Sequence, residues 1–491
     1  MSLFIDIENI ENDNMQSNDI PVKEREYLEK ISLLDEKLFN SLKSIISTDF
    51  DLTRQLVSFQ ANKIRPFYRW YKYKEGFSAE LVKKYILKYG FNEKTKLLDP
   101  FAGSGTALFV SSELGFDSCG IELLPIGQEI IETRNALLTQ FTENDFQRLE
   151  FWIKNKPWNK HNSKHDLTVL KITNGAYPDI TTKKIQQYLS CIENESIIVK
   201  KVLKFSLLCV LENISYTRKD GQYLRWDQRS GRCLGSKPFD KGEIKNFDDA
   251  IISKLNEIVS DSKGDEVKTL FDTTPKKVKY GNIEIVGGSC ITELPKMQSD
   301  EFDLIITSPP YCNRYDYTRT YALELALLGT DEQGLIDLRQ TMLSCTVENR
   351  QKDLLDLNSN WSDVIQILNN QKLLQLIIEY LEYKKETKTI NNNGIPRMIK
   401  GYFYELGCVI YELHRVLKKN GRLIMVNDNV RYAGASISVD LLLSDIAHEI
   451  GFEVEQISVL PNGKGNSSQQ MGLHGREQLR KCVYKIGRAH V

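Results

Sequence analysis

The 491-residue sequence has no apolar run near the roughly 18 residues that cross a bilayer. Its best candidate, Val202 to Leu211, is broken by Lys204 and Ser206 and reads as a buried helix. Nine cysteines are present without a single CxxC pair. That excludes the common zinc spacings and a disulfide framework, predicts no metal site, and suits a reducing, cytoplasmic setting. The opening residues, MSLFIDIENIENDNMQ, are acidic and lack a charged-then-apolar signal pattern, so neither export nor a membrane is expected. A basic excess is missing too. The net charge is −1, so contact with nucleic acid must rest on local patches. No internal repeat is evident.

What is present is an ordinary globular composition, 41% hydrophobic, long enough for two to four domain-sized units. The N-terminal segment, 1–63, reads as helical. Leu28, Ile31, Leu34, Leu38 and Leu42 recur at helical spacing and predict one amphipathic helix packed on the body. Short strands then alternate with helices, which implies a parallel sheet covered on both faces. Strands are predicted at 96–98, 117–121, 283–286, 302–307, 422–427, 454–460 and 482–486. The expected fold class is therefore α/β, a doubly wound, mostly parallel seven-stranded sheet of Rossmann-like type with helical insertions. The core is expected to comprise 64–140, 281–330 and 400–487. A first insertion, 141–280, is the candidate target-recognition region. A second, 331–399, is helical, and Leu373, Leu376, Ile377, Tyr380 and Leu381 mark its core-facing side.

The segment LLDPFAGSGT, Leu97 to Thr106, carries the sharpest chemical signal. A carboxylate ends a buried strand, and Gly103 and Gly105 follow before a helix starts. Glycines allow a tight turn and close approach of backbone to ligand, at the sheet edge where such folds bind small molecules. A P-loop would need GxxxxGK[ST], and no lysine follows these glycines. A dinucleotide fold would want a third glycine, which GSGTAL lacks. S-adenosylmethionine remains. Asp99 suits its cationic amino group, and Glu122, at the end of the next strand, suits its ribose hydroxyls. The candidate cofactor residues are Asp99, Pro100, Phe101, Ala102, Gly103, Ser104, Gly105, Thr106, Glu122 and Leu123.

A second signal is Ser308-Pro309-Pro310-Tyr311, at the end of another predicted strand. Two prolines cannot continue a ladder and they fix φ, which makes a rigid turn with outward carbonyls. The residue types suit an exocyclic base amine, whose lone pair is delocalised into the ring. Acceptors on its hydrogens, the Ser308 hydroxyl and the Pro309 carbonyl, would draw the nitrogen toward sp³. Tyr311 would stack on a base extruded from the duplex.

These motifs resemble those of the amino-group DNA methyltransferases. DPFAGSGT looks like their motif I, GIELLP (Gly120 to Pro125) like motif II, and SPPY like motif IV of the cytosine-N4 enzymes. FYRWYKYKEGFSAELVKKYI (Phe67 to Ile86) resembles the segment preceding motif I, in which an aromatic residue, here Phe77, covers the methionine end of the cofactor. The resemblance implies double-stranded DNA as substrate and a cognate restriction endonuclease as partner in a restriction–modification or defence system. One departure stands out: Gly288 or Ser289 occupies the place where the family often has an acid for the cofactor adenine. Cytosine-C5 chemistry, which needs a cysteine after proline, is excluded because no Pro-Cys dipeptide occurs. N6-adenine methylation, methylation of an RNA base amine as in tRNA guanine-N2 enzymes, and a silent nucleic-acid-binding subunit stay open as alternatives.

Two places suggest a nucleic-acid surface. Ser215 to Arg232 interleaves Arg218, Lys219, Arg225, Arg229 and Arg232 with Tyr216, Tyr223 and Trp226, a mixture suited to phosphate contact and stacking. Arg314 and Arg319 follow SPPY directly, with Tyr315 and Tyr317. A polar glycine-rich stretch, Asn462 to Lys481, could touch phosphate or connect two strands.

Overall fold

The computed structural model describes residues 21–74, 76–89, 94–162, 165–220, 223–232, 238–263, 280–461, 464–465 and 478–488. Its centre is an eight-stranded sheet. The strands are β1 (Ile46–Thr48), β2 (Lys96–Asp99), β3 (Asp117–Glu122), β4 (Ile283–Gly287), β5 (Phe302–Thr307), β6 (Leu417–Asp428), β7 (Phe452–Val459) and β8 (Lys481–Arg488). They lie in the order β1-β7-β8-β6-β5-β2-β3-β4. Only β8 runs antiparallel to its neighbours. The mostly parallel α/β fold is as expected. Seven strands match those predicted, and the eighth is β1, which pairs Ile46 to Thr48 with Ile457 to Val459. Three residues inside a segment read as helical carry too little pattern to reveal an edge strand.

Central strands are apolar on both faces because helices cover both sides. Leu98, Leu304, Ile305 and Ile306 are all completely buried. Chain order reverses between β2 and β5. From β2 the sheet grows one way through β3 and β4, and from β5 the other way through β6. A crevice opens outside the carboxyl ends at such a switch point. The glycine loop leaves β2 there and SPPY leaves β5.

The predicted N-terminal amphipathic helix is present at Val22–Leu42. Its Ile31 is buried, and Leu28, Leu34, Leu38 and Leu42 pack on the core formed with helices Lys372–Glu386, Ile395–Val416 and Val439–Ile450. In the second insertion Leu373, Ile377, Tyr380 and Leu381 are buried as read. The first insertion builds a separate apolar cluster on helices Glu143–Asn155, Asp179–Ile192, Ile197–Ile214 and Phe247–Lys263. Thr142 and Asp145 close the first of these with a reciprocal capping box. The insertion also holds a hairpin, Thr217–Asp220 against Tyr223–Trp226, within a stretch expected to be helical or irregular. Most of Asn462 to Lys481 and the Tyr223 side chain lie outside the described residues. No described helix is long and apolar enough to cross a membrane.

Candidate active site

Gly103 and Gly105 both have positive φ, 55° and 76°. A Cβ on Gly103 would stand 3.0 Å from the Tyr73 ring, and one on Gly105 would stand 2.7 Å from Ile131 Cγ1. The turn therefore needs glycine twice, once for the ring above it and once for the helix behind it. Helix Thr106–Glu113 starts directly after it. Arg134, almost wholly buried, donates to the Ser104 carbonyl at 2.9 Å and to the Tyr68 carbonyl at 3.2 Å, tying the loop to the preceding segment. Burial pushes that guanidinium down to about 10.

The loop lines a cavity open to solvent. Tyr73, Gly76 and Phe77 form one wall; Asp99 to Ser104 and Thr106 form the next; Ile121 to Leu124 continue from β3. Gly288, Ser289 and Cys290, then Ser308, Pro310, Tyr317, Met342 and Leu343, complete it. Of the candidate cofactor residues, Gly105 alone does not line the space, since it faces Ile131 and Phe109. Phe77 sits in the wall, held by buried Asn62. The Asn62 amide donates to the Phe77 carbonyl at 3.1 Å and accepts from the Ala79 N–H at 2.9 Å.

Two acids face the cavity. Asp99 accepts from Thr307 Oγ1 at 2.8 Å and from the Phe101 N–H at 3.1 Å, both on Oδ1. Glu122 accepts from the Gly103 N–H and the Leu124 N–H, each at 2.7 Å and each on its own oxygen. The Gly103 contact clamps the glycine loop onto β3. Burial raises Asp99 to about 7 and Glu122 to about 8 despite these hydrogen bonds. Among the described residues no lysine or arginine lines the cavity. Two desolvated carboxylates with no lysine or arginine beside them among the described residues are an environment that a cationic group would relieve.

At the mouth, half-buried Ser308 donates to Tyr311 Oη at 3.2 Å or to the Val426 carbonyl at 3.3 Å. Either recipient takes the hydroxyl proton and leaves both serine lone pairs to accept. Tyr311 also accepts from Lys481 Nζ at 3.3 Å, and that ammonium lies 5.0 Å from the ring centroid. Lys481 pairs with Asp428 at 3.0 Å. Pro309 is buried and Pro310 half-buried.

The chain is 55% identical over 466 residues to type II methyltransferases M.AvaI of Nostoc sp. and of Anabaena variabilis, a match covering 95% of this chain and 95% of each relative. It is 40% identical over 462 residues to type II methyltransferase M.BsoBI of Geobacillus stearothermophilus, across 89% of both chains. The chain belongs to the type II DNA methyltransferases. No protein-family model matches it.

For a DNA methyltransferase two of the expected nucleic-acid residues, Lys219 and Trp226, need correction. Lys219 is buried beside Glu324 and Tyr71, where its ammonium pairs with the carboxylate and donates to the phenol at 2.9 Å. Trp226 is 5% exposed. Neither side chain presents itself to a duplex. Arg225 pairs with Asp220 at 3.1 Å, and Arg229 grips Asp227 at 2.7 and 2.8 Å. Arg232 covers the Trp226 ring and caps carbonyls of Lys171, Ile172 and Asn174. Arg218 is exposed. Near SPPY, Arg319 pairs with Asp316 at 3.2 Å and Glu348 at 2.8 Å, and Arg314 is half-buried with φ 64°. Aromatic interleaving marks packing as readily as stacking, so the cations of 215–232 were legible, but the distant partners of Lys219 and Arg232 were not. Sequence reasoning also missed Tyr73, Asn62 and Arg134. The first lies inside the segment resembling the one before motif I; the other two act through backbone atoms and leave no spacing signal.

Proposed function

We propose that this methyltransferase moves a methyl group from S-adenosylmethionine to the N4 amine of cytosine in double-stranded DNA, as the modifying partner of a restriction endonuclease. The observation that carries the reading is the position of Ser308 in the wall of the cavity that also holds Asp99 and Glu122. The cofactor, when bound, supplies a methyl group activated by a sulfonium. Asp99, with Oδ1 already engaged, offers its other oxygen to the ammonium. Glu122 keeps acceptor capacity for the ribose hydroxyls while its backbone contacts hold the loop. Phe77 packs over the methionine end, and Leu123 and the Pro100 to Thr106 loop enclose the rest.

Ser308 and the Pro309 carbonyl accept the two amine hydrogens of the extruded base. The nitrogen lone pair then withdraws from the ring and points at the methyl group. Hydrogen bonding of the Ser308 proton to Tyr311 or Val426 fixes the hydroxyl as an acceptor. Pro310 stiffens the turn, and Tyr311 stacks on the base. Positioning and polarisation supply the rate enhancement. Unmethylated DNA incubated with enzyme and S-adenosylmethionine, digested to nucleosides and weighed by mass spectrometry, should yield N4-methyldeoxycytidine. N6-methyldeoxyadenosine as the product would overturn the cytosine assignment and leave the family intact.

A further inference from the structure

A second cavity, of about 1210 Å³ of empty space, adjoins the first and shares Tyr73 and Gly76 with it. Its described lining brings together Arg54, Lys63, Lys72, Lys74 and Lys481 against one acid, Asp428. That acid is already paired with Lys481. The chain as a whole is balanced, with 65 basic and 66 acidic residues, so five cations to one acid is a local departure. Its source is continuous in sequence. From Leu52 to Lys74 there are six cations (Arg54, Lys63, Arg65, Arg69, Lys72, Lys74) and no acid.

Those six divide by direction. Arg65 pairs with Glu80 at 3.0 Å and Glu113 at 3.1 Å, and Arg69 pairs with Asp261 at 2.5 Å. The other four line the cavity. Arg54, Lys63 and Lys72 are exposed. Like charges crowded around one cleft repel each other, and a polyanion relieves that repulsion. Tyr311 stands in the same wall, three residues after Ser308, which lines the first cavity.

We infer that this cleft holds the sugar–phosphate backbone of the strand carrying the extruded nucleotide, with Arg54, Lys63 and Lys72 as phosphate contacts. The inference rests on the reading of the chain as a base-amine methyltransferase. A base held at Ser308 and Tyr311 stays bonded to its own sugar and phosphates, and the cleft behind Tyr311 is the adjoining space with the matching charge. Contacts of this kind set register and carry no sequence information. Within 215–232, Lys219 and Trp226 are buried and closed to that role.

The test uses the full chain with Arg54→Ala, Lys63→Ala and Lys72→Ala combined, beside the charge-keeping Arg54→Lys, Lys63→Arg and Lys72→Arg. Affinity for a fluorescent mixed-sequence duplex is measured by anisotropy across a salt series. The alanine variant should flatten the plot of log affinity against log salt by about 0.9 per lost contact, while the charge-keeping variant retains the wild-type slope. On unmethylated genomic fragments the alanine variant should show a raised KM for DNA, an unchanged kcat and unchanged calorimetric affinity for S-adenosylmethionine. A wild-type slope and KM in the alanine variant would overturn the cleft assignment. Equal losses in both variants would overturn it too, since shape rather than charge would then matter. A wild-type enzyme that binds the duplex yet methylates no base amine overturns the proposed function instead, and the salt comparison can still be read.

Discussion

Buried acids in two regions of this molecule behave oppositely: Glu324 in the helix after SPPY, and Asp99 and Glu122 at strand ends in the cavity. Glu324 is almost fully buried, and Lys219 and Tyr71 both donate to it. Its charge is matched by a residue 105 positions away. Asp99 and Glu122 are buried too, but among the described residues the donors to them are neutral, and burial lifts them to about 7 and 8. A compensated buried acid is architecture that joins the first insertion to the helix after SPPY. An uncompensated one is a socket for something the chain does not supply.

Substitutions should separate the two. Lys219→Met strands the Glu324 charge and should cost about 3–5 kcal/mol of stability. It should leave cofactor affinity of the folded enzyme unchanged, which denaturant melts and calorimetry would check together. Ser308→Ala should keep cofactor affinity and slow single-turnover methylation by about 10²–10³-fold if this acceptor matters as one oxyanion-hole donor does. A wild-type rate would remove the hydroxyl from the mechanism.

On the other side of the comparison, Asp99→Asn or Glu122→Gln should weaken S-adenosylmethionine binding by about 1.5–3 kcal/mol each. Asp99→Asn should not destabilise the ligand-free protein near pH 8, because it removes a charge that burial disfavours and one amide oxygen can keep both hydrogen bonds. Glu122→Gln also gives up one of the two backbone contacts. Thermal melts of the ligand-free variants would show this, and a large loss of stability in Asp99→Asn would place that acid with Glu324.

The smallest expected effect concerns pH. Ordinary carboxyl values lie near about 4, and both folded values lie above that. Between about pH 4 and 8 the folded chain therefore binds more protons than the unfolded chain, and its stability falls as pH rises. Saturating cofactor should flatten this dependence. A ligand-free melting temperature that rises from pH 6 to 8 would contradict the assignment of these shifts.

How far the sequence disclosed this arrangement depended on how local the signal was. Asp99, the glycines, Glu122 and SPPY lie at strand ends, where carboxylate, glycine and proline each have few structural uses, and the fold brings all four elements to one crevice. The seven patterned strands were legible for the same reason. β1 was not, because its pairing with β7 lies some 400 residues away, beyond any local pattern. In the basic stretch at 215–232 the partner of Lys219, Glu324, is remote in the chain, whereas Asp220 and Asp227, which pair with Arg225 and Arg229, lie within the stretch itself. Conversely, the acid-free run from Leu52 to Lys74 was readable as charge, but only the fold shows which four of its cations turn to the cleft.

The most direct test of the central claim, that Asp99 and Glu122 form a socket for a cationic cofactor, is the number of protons exchanged on binding. Titration of S-adenosylmethionine into the enzyme near pH 7, in two buffers of different ionisation enthalpy, gives that number by calorimetry. Asp99, raised to about 7, must ionise to meet the ammonium, so net proton release is predicted, diminished in Asp99→Asn. Zero exchange, or net uptake, in the wild-type enzyme would contradict the account.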